Sequence, residues 1–454
     1  MKLKIFLSLV ILFSFDRVEL MAGPVVEYAT KPGEKFISNP TRILADLPTI
    51  PEDTGLNPYG GITEPKYKPT GFFRTEKING RWWIIDPTGG RFIHRGMATV
   101  TTIRTPGAQA ALVATFKDKN GWAAATTRFI TDIGFNGTGG VSDDAILDTT
   151  SNKLVSTRLL SLMSRYGKVR GGVTPQPGHM GYPGDCPFIF DKEFETYCKE
   201  ACKKLAQNKN NPWILGYYTD NEMPWANDLL DKYLKLDVKD QGRIFAEEWL
   251  KKNKISKITD AHREEFLQLA AETYFRITSQ AIRENDPNHM VLGARFHGVA
   301  LRLKPLFRAA GKYCDIITIN YYRSWTPNKS NMEAWSKESG KPFLITEWYA
   351  KAEDSGLANT SGAGWLVHTQ KDRGLFYQNF TLALIENPGC VGWHWFRYSD
   401  NDPDEKTDGS NKDANKGIVT NRYVPYVPLV DAMREVNIRN YGLIEMFDRK
   451  NSAK

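Results

Sequence analysis

Residues 215–225, LGYYTDNEMPW, carry an apolar, aromatic run directly into three polar side chains. Trp213, Ile214, Leu215, Tyr217 and Tyr218 have the make-up of a strand covered on both faces, as parallel sheets require. Asp220, Asn221 and Glu222 then arrive together, where such a strand would end. In a closed parallel barrel the carboxyl ends of the strands ring the active site, so this trio reads as chemistry; its plainer reading is a cap for the next helix. Residues 341–349, KPFLITEWY, repeat the pattern, with Phe343 to Ile345 leading to Glu347 beside Trp348 and Tyr349. Two strand-end glutamates among aromatic side chains are what glycoside hydrolysis needs.

Working outward, apolar strand candidates alternate with helical stretches along most of the chain. Residues 81–96, RWWIIDPTGGRFIHRG, read as a hairpin around the turn at 86–90, whose second arm leads into a first barrel strand. Further strands are expected at 133–138, 154–160, 214–219, 290–295 (MVLGAR), 316–320 (IITIN), 343–346 and 391–395 (VGWHW). Helices such as 264–284, apolar at helical spacing, fall between them. About eight βα units predict an α/β fold, a (β/α)8 TIM barrel, with Glu222 on strand four and Glu347 on strand seven, facing each other across the mouth.

The 454 residues, 41% of them hydrophobic, suffice for one large barrel with extensions. Twelve Trp, 19 Tyr and 23 Phe are a modest pointer to sugar stacking, since aromatic faces pack on the C–H faces of sugars and also fill cores. The net charge of +8 is spread without a dense basic run, so no nucleic-acid partner is expected; it is an ordinary solvated surface or one suited to a polyanionic glycan. Residues 1–22 read as an export signal, with Lys2 and Lys4 before an apolar run at 5–15 that is short for a membrane span; an uncleaved anchor is the rival reading. The mature chain is therefore expected to be secreted or periplasmic, without a membrane span. Residues 23–70, rich in Pro, Gly and Thr, are expected to wrap or link, leaving 71–454 as the catalytic domain. Cys186, Cys198, Cys202, Cys314 and Cys390 are too few and scattered for a disulfide framework and read as buried thiols with at most one bridge.

The blocks GRWWIIDPTGGRFIHRG, DIGFNGTGGVSDD, LGYYTDNE, VLGARF, ITINYY and VGWHWFRYSDND, in that order over roughly residues 71–437, resemble glycoside hydrolase family 50, the β-agarases, within the retaining, barrel-built clan A. The resemblance implies Glu222 as acid/base, Glu347 as nucleophile and Asn221 on the sugar 2-hydroxyl. Two departures leave room for a shifted substrate: no large N-terminal carbohydrate-binding domain is seen, and strand seven reads Thr346-Glu347-Trp348 where Ser-Glu-Phe is usual.

Retaining chemistry places two carboxyls about 5–5.5 Å apart. Glu347 must be ionised, and Arg295 and Tyr322 are candidate donors to it. Glu222 must start protonated, helped by packing from Tyr218 or Trp225 and by the charge of Glu347. Alternation along strand six puts Asn320 and Tyr322 on one face, favouring Tyr322 over Tyr321 for the pocket. The same argument groups Trp393, Trp395 and Arg397; Trp395 is a candidate sugar platform or a barrel-closing core residue. Trp325 and Trp348 are further aromatic candidates, and His297 and His94 are candidate hydroxyl ligands or structural histidines. Arg397 is expected to bind an anionic group or pair with Asp400.

The loop at 400–416 opens like a calcium loop, but Glu405 and Asn411 replace its required Gly and terminal Glu, so no metal or cofactor is expected. The insert at 171–187 is expected to wall one end of the cleft, and another lies between Trp225 and Asp260. The expected activity is cleavage of β-galactosidic bonds in a red-algal galactan, agarose or its oligosaccharides. The alternatives are another β-galactoside, a sulfated galactan, or a glycan-binding barrel without catalysis. Oligomeric state is not legible in the sequence.

Overall fold

Eight short apolar runs become the strands of one parallel sheet in the computed structural model, which describes residues 23–176, 178–405 and 411–452; the expected export segment lies outside them. The strands are β1 (His94–Ala98), β2 (Gly137–Thr138), β3 (Val155–Leu159), β4 (Ile214–Asn221), β5 (Met290–Arg295), β6 (Ile317–Asn320), β7 (Phe343–Glu347) and β8 (Cys390–Phe396). Each pairs with its neighbours in chain order, β8 pairs with β1, and a parallel bridge from Phe296 to Ile319 joins β5 to β6. The result is the (β/α)8 barrel that the alternation predicts.

β2 is shorter than its sequence implies. The Asn136 side chain replaces part of the backbone ladder, donating to the Ile93 carbonyl and accepting from the Arg95 amide, both at 2.9 Å.

Large side chains fill the barrel interior. His94 and His394 meet there at 2.7 Å between Nδ1 and Nε2, and His94 also contacts the Val155 carbonyl. Gly96 and Gly137 make this possible, because a Cβ on either would fall 2.5 Å and 2.0 Å from an imidazole. Below them the expected hairpin is part of a three-stranded antiparallel sheet, Arg74–Ile78, Arg81–Ile85 and Arg91–Phe92. Asp86 shapes its turn by accepting from the amides of Thr88 and Gly90. Ile84 and Phe92 of this sheet, with Phe73 and Tyr59, pack on Val155, Leu215, Leu344 and Val391 and close the amino end of the barrel. The carboxyl end is left for the site.

Outside the barrel pack α1 (Lys119–Asp132), α2 (Leu162–Arg170), α3 (Lys192–Cys202), α4 (Asp260–Asn285), α5 (Lys304–Tyr313), α6 (Lys329–Ser339), α7 (Gln370–Glu386), α8 (Val427–Asn437) and α9 (Asn440–Ser452). Thr259 and Thr369 cap α4 and α7 through their hydroxyls. Residues 23–70 run across these helices. Tyr28 stacks on Trp325, the amides of Arg42 and Leu44 bond to Asn379 and Gln378 of α7, and Asp53 accepts from Tyr441 and Gly442 in the first turn of α9. All five cysteines are buried free thiols, so the single bridge left open by the sequence is not formed. Among the described residues no helix is long and apolar enough to cross a membrane.

Candidate active site

The polar trio at the end of β4 divides between two tasks. The Asp220 carboxylate points to the helix side, where it accepts from the amides of Met163 and Ser164 in the first turn of α2 and from the Tyr274 hydroxyl. It caps a helix that precedes the strand, at the end where the helix dipole favours an anion. Burial nevertheless lifts its pKa to about 6. Asn221 and Glu222 turn the other way, into the barrel mouth. Glu222 does so with φ of +50°, a left-handed conformation that a glutamate rarely adopts outside functional sites.

Glu222 is 8% exposed. Its Oε1 accepts from Asn320 Nδ2 at 2.8 Å, and His179 Nδ1 stands 3.8 Å from Oε2. Its pKa is pushed up to about 7, first by burial and then by the charge of Glu347, against the hydrogen bond from Asn320 and the charge of Arg295. Glu347, at the end of β7, has a donor on each oxygen: Arg295 Nη2 at 2.7 Å from Oε1 and the Tyr322 hydroxyl at 2.7 Å from Oε2. Burial and that same carboxylate hold the Tyr322 phenol well above its ordinary range, so it remains a donor.

Asn320 links the two halves of the site. Its Oδ1 accepts from the Thr346 hydroxyl at 2.7 Å, which turns Nδ2 toward Glu222 and Asn221. Both glutamates open onto a cavity of about 640 Å³, within the size range of ligand clefts. Asn221, Arg295, His297, Tyr322 and Arg397 line it with them, and Tyr349 and Phe396 supply its aromatic walls.

No family model matches the chain. The solved structure of BpGH50 is 33% identical, covers 94% of this chain and 96% of its own, and superposes with a TM-score of 0.83. The chain belongs to glycoside hydrolase family 50. Beta-agarase B of Vibrio sp. (strain JT0107) is 25% identical over 497 residues, which cover 86% of this chain and 50% of that protein. The chain thus spans about half the length of that curated relative. The solved structure of the agarase AgWH50C, 22% identical with a TM-score of 0.71 over 86% of this chain and 67% of its own, shares the fold.

Within this family 50 barrel the cavity gathers Asn221, Glu222, Arg295, His297, Tyr322, Glu347 and Arg397 of the residues singled out by sequence. Asn320 lies buried directly beneath it. The other candidates lie elsewhere. Trp395 and Trp393 sit on the helix-facing side of β8: Trp393 Nε1 donates to Tyr377 of α7, and Trp395 packs edge-on against Trp348. Alternation along β8 is therefore the reverse of the expected one, with His394 and Phe396 pointing inward. Trp348 stacks on Phe380 of α7 at 4.1 Å, and truncating such a side chain costs about 3–5 kcal/mol of stability, so its part is packing. Trp325 is buried between Tyr28 and Phe376 and donates to Thr41. His94 lies in the barrel core, where burial lowers its pKa to about 4 and keeps it neutral.

Asp400, the expected partner of Arg397, accepts instead from Tyr426, Asn415 and the Gly417 amide. Asp402 accepts from Thr105 and Arg422. Residues 406–410 of that loop lie outside the described residues, and among those described no cluster of potential metal ligands occurs.

Phe396 and Lys416 are among the cavity residues that the sequence reading did not single out, and Gly178 and His179 reach it from the insert at 171–187, expected to wall the cleft but not resolved there to individual residues. Phe396 was within reach of an alternation argument anchored on His394. Lys416, whose Nζ lies 5.7 Å and 5.5 Å from the Tyr349 and Phe396 rings, arrives from a loop that carries no periodic signal.

Proposed function

We propose that this chain is a retaining glycosidase that cleaves β-galactosidic bonds in a red-algal galactan, agarose or neoagaro-oligosaccharides, and that it acts outside the cytoplasm. The observation that carries the mechanism is the asymmetry of the two carboxyls in one cavity. Arg295 and Tyr322 each donate to one oxygen of Glu347, while burial and the neighbouring charge favour a protonated Glu222. Membership of family 50 and the likeness to a Vibrio β-agarase support the substrate class.

In the first step Glu347 attacks the anomeric carbon as Glu222 gives its proton to the departing glycosidic oxygen. In the second, Glu222 takes a proton from water, which attacks the same carbon and frees Glu347. Tyr322 and Arg295 hold the nucleophile in place. Asn221, whose Nδ2 donates to the Gly178 carbonyl at 2.8 Å, lines the cavity and is the proposed ligand of the 2-hydroxyl of the cleaved sugar.

Mass spectrometry of products after incubation with agarose, neoagaro-oligosaccharides and porphyran tests this, with Glu347→Ala as the control. Even-numbered neoagaro products, first released as the β-anomer by NMR, are expected. Product from porphyran alone would move the substrate to a sulfated galactan. No product from any of the three would remove the galactan assignment.

A further inference from the structure

Beside Glu222 the fold adds something that proton transfer does not require. Between β3 and β4 the insert sends out a two-stranded hairpin, Thr174–Gln176 against His179–Gly181, of which Gly178 and His179 line the cavity. The tip is tied down by the Asn221 amide, which donates to the Gly178 carbonyl. Gly178 has φ of +79°, and a Cβ there would stand 3.4 Å from Glu222 Oε2, so this turn against the carboxyl suits glycine.

The next residue, His179, places Nδ1 3.8 Å from Glu222 Oε2, beyond direct hydrogen-bond reach. That nitrogen is buried and has no hydrogen-bond partner among the described residues. The same holds for Nδ1 of His297, which enters the cavity from the loop after β5, and the two rings lie 5.9 Å apart. Buried polar atoms without partners are costly and rare, and in a cleft they are explained by a ligand that completes them.

Resting on the role proposed above for Glu222, chemistry says which part of the ligand this is. The proton of Glu222 goes to the glycosidic oxygen, and beyond that oxygen lies the departing sugar. Glu347 and its donors Arg295 and Tyr322 address the sugar that stays. We propose that His179, carried by the hairpin and assisted by His297, binds a hydroxyl of the leaving sugar and so makes the hairpin a specificity element for the departing side of the bond. The imidazole holds that sugar so that its glycosidic oxygen meets the proton of Glu222.

The test compares two substrates with the same staying side in the full chain: a neoagaro-oligosaccharide, whose leaving group is a sugar, and the 4-nitrophenyl β-glycoside of neoagarobiose, an aryl galactoside whose leaving group offers no sugar hydroxyls. His179→Ala is expected to lower kcat/KM on the oligosaccharide by about tenfold or more and on the aryl galactoside by no more than about twofold. His179→Gln, which keeps a hydrogen-bonding side chain, is expected to restore part of the loss. The ratio between substrates on one preparation does not depend on how much of a variant is folded. Equal losses on both, or no loss on the oligosaccharide, would overturn the proposal. Wild-type protein inactive on both would instead overturn the glycosidase reading, taking this inference with it.

Discussion

Glu222 and Glu347 leave their strands at the same level of the barrel and enter opposite surroundings. Glu347 receives a guanidinium and a phenol, one on each oxygen. Glu222 receives a single amide and is otherwise enclosed. The residue that ends the strand is the same; the neighbouring strands decide what it does. β5 presents Arg295 toward β7, while β6 sends Asn320 to Glu222 and, two residues on, Tyr322 to Glu347. One stretch of chain therefore serves both carboxyls, giving each a single hydrogen-bond donor, while burial and the charge of Glu347 keep the pKa of Glu222 raised.

The largest effect should come from abolishing the comparison. Glu347→Ala is expected to lower kcat on the oligosaccharide on the order of 10⁵-fold, since the proposed covalent route is lost. Glu222→Ala is expected to cost ~10³-fold, the usual scale of general acid/base assistance. The two should separate further on the 4-nitrophenyl β-glycoside of neoagarobiose, where a good leaving group spares the need for an acid. Glu222→Ala recovers on that substrate and Glu347→Ala does not. Equal recovery of both would erase the division of roles.

What the sequence disclosed and what it hid follow from the range of the forces involved. The strands, both glutamates, Arg295, Asn320 and Tyr322 lie in period-two runs, where alternation and strand ends are set within a few residues. Alternation alone names two faces without saying which is inner. On β8 the tryptophans went to the helix side because α7 offers Tyr377, which accepts from Trp393 Nε1 and meets the Trp395 ring at 5.9 Å, contacts no local pattern records. Asp220 was legible as a cap but not as the cap of α2, which lies some sixty residues earlier in the chain. His179 reaches the cavity on a short hairpin and Lys416 on a loop; the hairpin's course depends on bonds such as that from Asn221 to Gly178, and neither carries a period.

Tyr322→Phe sharpens the comparison from the Glu347 side. The hydroxyl at 2.7 Å is removed and the ring kept, so Glu347 loses one of its two donors while the packing of the ring is preserved. A charge-assisted hydrogen bond is worth about 1.5–3 kcal/mol, and kcat should fall roughly 10- to 100-fold with Arg295 still in place. Steady-state kinetics on the oligosaccharide measure it. An unchanged kcat would mean that Arg295 alone suffices to hold Glu347 in place.

Asn320→Ala approaches from the Glu222 side with the smallest effect, a shift along the pH axis. With Glu222 as the proposed acid its protonated form is the active one, so kcat/KM should fall as pH rises through the Glu222 pKa of about 7. The Asn320 amide donates to the ionised carboxylate and thereby lowers that pKa, opposing burial and the charge of Glu347. Removing the donor must therefore raise the pKa, and the alkaline limb of the profile should move upward by about one unit or less. Thr346→Val, which frees Asn320 Oδ1 and lets the amide turn, should move it the same way by less. A downward shift would mean that the amide group supports the protonated acid, accepting from it, and that Thr346 orients Asn320 in the opposite sense.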